Sequence, residues 1–229
     1  TLFQIGELTK PEVRKIAQDL SLVTADKKDS QGLCFIGKVR LPDFLQQKLK
    51  PKTGSRVGIS EEFETYLTPP PIFDSKEDAL AYAASKPIYS KTDGTVLGTH
   101  QGAHFFTKGQ RKGLAIGGTK EPLFVIDTDV DENIIYVGEG KNHPGLLRSS
   151  LFVPNHDLHW VRPGLAISSG EELIVLARIR YRQPLEPATL YQTKQGLYIT
   201  FSNPQTAITE GQFVAWYLND ELVGSGVIS

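Results

Sequence analysis

Two spacings of apolar residues divide the chain. In "TKPEVRKIAQDLSL" Val13, Ile16, Ala17 and Leu20 recur at helical intervals, which predicts a helix with one buried face. Thr9 stands where a cap belongs, Pro11 falls in the first turn, and Glu12 supplies the acid expected there. The polar stretch "VTADKKDSQG" predicts a loop that leads into the short apolar run "LCFIG", and "LPDFLQQKLK" predicts a second short helix. From Pro51 to Leu97 the periodicity weakens. "LTPPPIF" breaks regular structure, "SKEDALAYAAS" suits a short helix, and the region reads as an acidic, surface-exposed insertion. "LFVIDTDVDENIIYVGEG" then places two β-rich runs around an Asp/Asn turn, a hairpin.

Beyond "KNHPGLLRSS" the spacing becomes that of strands. "LFVPNHDLHWV", "ELIVLARIRYR", "PATLYQT", "GLYITFS", "QFVAWYL" and "ELVGSGVI" follow one another, punctuated by Gly, Pro, Asn and Asp. Six short strands at this interval predict a small antiparallel barrel or sandwich, with a domain boundary near Ser149. The expected fold is therefore mainly β with some α.

Composition and charge narrow the function classes. At 39% hydrophobic and 22% charged, the 229 residues have the make-up of a soluble globular protein. No apolar run approaches membrane-spanning length, and nothing at the start reads as a secretory signal. One cysteine, Cys34, forms no internal disulfide, which suits a reducing cytoplasm. The chain opens without an initiator methionine and contains no Met, the look of a fragment of something longer. A net charge of −1 hides segregation: Thr1–Arg56 carries eleven basic against six acidic residues, and Val57–Thr99 three against seven. His100–Lys120 has Lys108, Arg111, Lys112 and Lys120 with no acid, a pattern that suits either a polyanion-binding surface or an ordinary solvated face.

Four groups of residues carry candidate chemistry. "THQGAHFFTKGQRKGLAIGG" combines glycines at 109, 113, 117 and 118 with Lys108, Arg111 and Lys112, a combination able to hold phosphate or simply to turn the chain. It lacks the residue order of a Walker A loop. "ARIRYRQP" spaces Arg178, Arg180 and Arg182 along one face of a strand, with Tyr181 opposite unless an irregularity turns it. Arginine pairs with phosphate and tyrosine stacks on unpaired bases, while the plain alternative is a charged, exposed barrel face. His100 and His104 are spaced for one helical face, but no cysteine or acid pair completes a metal site, so all five histidines read as core or surface residues and no metal is expected. The acidic hairpin turn lacks EF-hand spacing and reads as a solvated turn. Cys34 is either a small buried apolar residue or a thiol made reactive by Lys27, Lys28 and Lys38.

Taken in order, "FQIGELTKPEVRKIAQDLSLVTADKKDSQGLCFIG", "HFFTKGQRKGLAIGG", "LHWV", "RIRYRQ" and "EGQFVAWY" resemble the C-terminal part of the bacterial tRNA-specific 2-thiouridylase family, MnmA or TrmU. The resemblance spans nearly the whole chain and is weakest between about Gly58 and Val96. It implies three parts: residues 1–37 as the tail of an α/β ATP-pyrophosphatase domain, 38–148 as a small central α+β domain with an acidic insertion at about 58–96, and 149–229 as an antiparallel β-barrel.

The same resemblance implies an activity. The family thiolates C2 of the wobble uridine of certain tRNAs: ATP, with magnesium, adenylates the C2 oxygen, and a cysteine persulfide then delivers sulfur. A carbonyl oxygen leaves poorly and AMP leaves well, while a persulfide is a strong nucleophile at neutral pH. The persulfide role falls on Cys34, tRNA contacts on Arg180, Tyr181 and Gln212, and a further RNA surface on Lys108, Gln110, Arg111 and Lys112. The family's second, upstream cysteine and its "SGGVDS"-type nucleotide loop have no counterpart in the chain. Implied partners are tRNA and a sulfur-donor protein, with no membrane, in the cytoplasm. The rival reading is a non-catalytic RNA-binding module with a translation-factor-like barrel and an inert cysteine.

Overall fold

The computed structural model describes residues 5–27, 49–114 and 116–229. The chain divides into two units, Thr1–Lys50 and Pro51–Ser229.

In the first unit, helix α1 spans Lys10–Asp19. The Glu12 carboxylate accepts hydrogen bonds from both the backbone N–H and the hydroxyl of Thr9, at 2.6 Å each. That acid ties down the helix start, as the sequence predicts. The expected buried face is only partly realised: Val13 and Ala17 are half-buried, whereas Ile16 and Leu20 are exposed. Among the described residues, the segment after the helix folds back by polar contacts, Gln18 to Asp26 and Arg14 to the Lys27 carbonyl, so it does not cover the apolar stripe. The predicted helix in "LPDFLQQKLK" lies almost wholly outside the described residues.

The second unit holds two sheets. The first has strand order β2-β1-β4-β3, formed by Gly54–Gly58 (β1), Thr95–His100 (β2), Leu123–Asp129 (β3) and Ile134–Glu139 (β4). β1 is antiparallel to β2 but parallel to β4, and β3–β4 is the predicted hairpin. Every residue of "IIYVG" in β4 is buried. Alternation explains how: Ile134 and Tyr136 pack with Val57, Ile59 and Ile126 on one face, while Ile135 and Val137 pack with Ala103, Leu114 and Val125 on the other. A strand covered on both faces needs a continuous apolar run, and this one has it.

The segment read as an acidic, surface-exposed insertion needs correction at particular points. Val57, Ile59 and Tyr89 are core residues, and β1 is an inner strand. Its signal is faint because "GSRVG" has one large apolar residue and two glycines. The helices between, α2 (Glu64–Leu67) and α3 (Lys76–Ala84), bury no residue fully, so there the surface reading stands. Ser75 caps α3 by accepting from the Asp78 N–H at 3.1 Å.

The second sheet is antiparallel, in the order β5-β9-β8-β7-β10-β11-β6. Its strands are Leu147–Pro154 (β5), Leu158–Trp160 (β6), Glu172–Arg178 (β7), Glu186–Gln192 (β8), Gly196–Thr206 (β9), Phe213–Leu218 (β10) and Glu221–Val227 (β11). Seven strands replace the six expected, because a turn at Asn155–Asp157 splits "LFVPNHDLHWV" into β5 and β6 on opposite edges of the sheet. The sheet curls into a partly open barrel. Near its seam the Ser229 N–H donates to the Phe152 carbonyl at 3.0 Å. Inward positions alternate as a half-buried sheet requires: Val175 and Ala177, Ala188 and Leu190, Leu197 and Ile199, Val214 and Trp216 are all buried.

Trp216, fully buried, rests on Gly224, where a Cβ would lie 2.5 Å from the indole. Gly224→Ala should therefore overpack the barrel and cost about 1–3 kcal/mol, read as a lower urea midpoint with an unchanged slope.

Buried histidines in and beside the first sheet set an acid limit. His143 Nδ1 accepts from the Gly145 N–H at 3.1 Å, and its Nε2–H donates to the Ile59 carbonyl at 3.1 Å, an arrangement only the neutral ring satisfies. Burial holds the pKa of His143 below its ordinary value; burial and then Arg56 do the same for His100. The unfolded chain takes up these protons near pH 6.5 and the folded chain resists, so stability should fall as pH drops below about 6.5. Urea midpoints at pH 7.5 and 5.5 measure this. His143→Gln should narrow the gap between them, and an unchanged gap would remove His143 from the account.

Candidate RNA-binding groove

β7 ends at Arg178, and residues 179–183 turn away from the sheet. Ile179 is buried and anchors the turn, which the Gln183 N–H closes on the Arg180 carbonyl at 3.1 Å. Arg178, Arg180 and Arg182 therefore do not share a strand face, which corrects the reading from their alternation. The irregularity instead carries Tyr181 round to the side of Arg178. The Arg178 guanidinium donates to the Tyr217 hydroxyl at 2.9 Å and to the Tyr181 carbonyl at 3.1 Å. It lies 5.1 Å from the Tyr217 ring centre and 5.6 Å from that of Tyr181, within cation–π range of both.

β10 forms the opposite wall. Val214 and Trp216 point inward, so Phe213, Ala215 and Tyr217 face out. Tyr181 is 84% exposed and Phe213 65%, and with Tyr217 they put three aromatic rings on one surface. Between the walls lies an open groove of about 590 Å³, lined by Arg178, Arg180, Tyr181, Gln212, Phe213 and Tyr217 among others. The three residues singled out in sequence as tRNA contacts, Arg180, Tyr181 and Gln212, thus meet in one groove. Phe213 and Tyr217 were missed. Their signal was available in "QFVAWYL", where alternation sends the other two rings outward once Trp216 faces in.

The polar groups of the groove are partly committed. Arg180 donates to the Thr206 carbonyl at 3.1 Å and to that of Ala207 at 2.7 Å, which fixes its plane and leaves three of five guanidinium N–H groups uncommitted to those bonds. The side-chain oxygen of Gln212 is buried without a donor among the described residues, an acceptor in want of a partner. Arg182 lines an adjoining depression with Gln183 and Asn203, so arginine continues beyond the groove. Stacking rings, oriented guanidinium donors and an acceptor on one concave surface suit an unpaired base with its phosphate.

The central motif is divided by the structure. Gln110 is spent inside its own loop, accepting from the Thr107 N–H at 3.1 Å and donating to the Lys112 carbonyl at 2.8 Å. Arg111 and Lys112 are exposed, whereas Lys108 is half-buried and lines a separate cleft. His100 ends a strand and His104 sits in a short turn, separated by Gly102 at φ +139°, so no helical face joins them. Among the described residues no three His, Cys, Asp or Glu side chains converge as a metal site requires. Cys34 lies outside the described residues.

Fold and groove together define a β protein of two sheets whose curled sheet presents an arginine-and-aromatic surface. Comparison with known proteins agrees. Three family models match in order along the chain: the tRNA methyl transferase HUP domain at residues 1–38, the tRNA methyl transferase PRC-barrel domain at 78–139, and the aminomethyltransferase beta-barrel domain at 153–228. Among curated relatives, the tRNA-specific 2-thiouridylase MnmA of Christiangramia forsetii is 65% identical over 229 residues, all of this chain and 58% of that protein. That of Flavobacterium johnsoniae is 60% identical over 228 residues and likewise 58% covered, and that of Pseudomonas fluorescens is 40% identical over 232 residues and 52% covered. The chain belongs to the MnmA family, matching its C-terminal portion. It spans a little over half the length of these relatives.

If the groove stacks a base, Tyr181→Ala should weaken RNA binding by about 1–3 kcal/mol, while Tyr181→Phe, which keeps the ring, should bind as the parent does. Filter binding of tRNA at one fixed salt concentration separates the two. Equal affinity for parent and Tyr181→Ala would remove stacking from the chemistry of the groove.

Proposed function

We propose that this chain is part of an enzyme that performs ATP-dependent 2-thiolation of the wobble uridine of tRNA, with Cys34 carrying the sulfur as a persulfide. The observation that carries the reading is the convergence of Arg180, Tyr181 and Gln212 in one groove with exposed Phe213 and Tyr217. The identity of 60–65% to proteins named tRNA-specific 2-thiouridylases supports the substrate and the sulfur chemistry.

Division of labour follows from chemistry. The groove holds RNA through stacking and phosphate contacts, and Arg111 and Lys112, exposed and unopposed by nearby acid in sequence, extend the basic surface. Lys108 and Gln110 are set aside from that surface because one lines a cleft and the other is bound within its loop. The outer sulfur of the Cys34 persulfide, in "DSQGLCFIG", attacks the activated C2 of the uridine, and AMP leaves with the bonding pair. A second thiol, assigned to no residue here, then attacks the Cys34 sulfur, forming a disulfide with it and releasing the thiolated base. ATP with magnesium activates the C2 oxygen. These 229 residues contain no Gly-rich nucleotide loop of the "SGGVDS" kind, so that step is assigned to no residue here. A sulfur-donor protein loads Cys34. Among the described residues no helix is long and apolar enough to cross a membrane, and the proposed location is the cytoplasm.

In the full-length enzyme, Cys34→Ser should abolish 2-thiouridine formation while tRNA affinity changes by less than about two-fold, since a hydroxyl replaces a thiol without loss of charge. Thiolation is measured by nucleoside mass spectrometry and affinity by filter binding. Incubation with a sulfur donor should add one sulfur atom to Cys34. Thiolation by that variant at the parent's level would refute the assignment of Cys34, and a Cys34 that gains no sulfur would favour the non-catalytic RNA-binding module.

A further inference from the structure

We propose that the cleft lined by Lys86, Lys108 and Arg148 makes Lys108 a nucleophilic site for acylation by acyl phosphates, small dianionic carbonyl electrophiles. The cleft has a volume of about 360 Å³ and lies where the two sheets of the second unit meet. Thr107, Lys108 and Asp127 come from the first sheet's side, Arg148 from β5, and Thr209 and Glu210 from the loop before β10.

Charges in the cleft are unevenly matched. Lys86 faces both carboxylates, 3.4 Å from Glu210 and 4.0 Å from Asp127. Arg148 is buried and donates to two backbone carbonyls, Ala84 at 2.9 Å and Ile208 at 3.0 Å, and among the described residues no carboxylate forms an ion pair with it. Lys108, with no hydrogen bond or ion pair among the described residues, is left beside a buried guanidinium. A lysine placed so is disfavoured as a cation. Burial, and then Arg148, lower its pKa to about 8, with Lys86 adding to the effect and Asp127 and Glu210 opposing it. A substantial fraction of the amine is therefore neutral and nucleophilic near physiological pH.

Asp127 and Glu210 are engaged by Lys86, so Arg148 is the cation in the cleft left to attract the dianion. The amine nitrogen attacks the carbonyl carbon of the acyl phosphate, and the carbon–oxygen bond to phosphate breaks. Phosphate leaves with the bonding pair, and the proton lost from nitrogen passes to that phosphate. The product is a neutral amide, which removes the cost of holding a half-buried charge against Arg148. No oxidant or further reagent is needed.

The test uses the intact protein and acetyl phosphate, with site-resolved mass spectrometry from pH 7 to 10. At pH 8, Lys108 should acetylate about ten-fold faster than exposed Lys112 and Lys141, because more of its amine is in the neutral, attacking form. Its rate should reach half-maximum near pH 8, and its advantage should shrink with an uncharged acetylating ester. Lys86→Gln, at a partly exposed position, frees Asp127 and Glu210 to stabilise the Lys108 ammonium and should move the half-maximum upward. Labelling of Lys108 no faster than Lys112 with both reagents overturns the proposal, as does a half-maximum that ignores Lys86→Gln. An advantage equally large with the uncharged ester overturns the role of Arg148 in recruiting the reagent.

Discussion

The second unit depends on a reversal of the chain at Ala207. This residue sits at φ +54°, a left-handed conformation that costs a non-glycine side chain about 1–3 kcal/mol. Three hydrogen bonds hold it there. Its N–H donates to the Leu146 carbonyl at 2.7 Å, and its own carbonyl accepts from Arg180 at 2.7 Å and from the Thr209 hydroxyl at 2.9 Å. Its methyl group is buried in the cluster of the first sheet, although the residue follows a strand of the second. One small residue thus joins the core of one sheet to the groove of the other.

Small size is what the joint requires. Gly109, at φ +82°, brings the basic loop so close that a Cβ would lie 2.8 Å from that of Ala207. The glycine at the start of "GQRKG" therefore has a packing reason independent of phosphate. The loop that leaves Ala207 also borders two concave surfaces. Ile208, Thr209 and Glu210 line the cleft of Lys108, and Gly211, Gln212 and Phe213 line the arginine-and-aromatic groove. Movement of this loop would be felt in both.

Much of this was legible in the chain. The hairpin, α1 with its Thr9–Glu12 start and the run of antiparallel strands follow from local periods and caps, which short-range physics sets. β1 was not legible, because "GSRVG" draws its order from β2 and β4 on either side of it, neither adjacent in sequence. The arginine alternation misled for a related reason. Strand pairing stops at Arg178, and a period of two has no meaning past the last paired residue.

Residue types and their order along the chain, by themselves, determined the class of structure and the succession of motifs by which the family is known, because motifs and alternation are properties of neighbours in sequence. Tertiary structure alone decided that Arg180, Tyr181 and Gln212 line one groove, that Phe213 and Tyr217 join them, and that Lys108 leaves its basic neighbours for a cleft of its own. Those outcomes rest on contacts between residues far apart in sequence, such as Arg148 with Ile208, 60 positions on, and Arg180 with Ala207, 27 positions on, and on the burial that such contacts create.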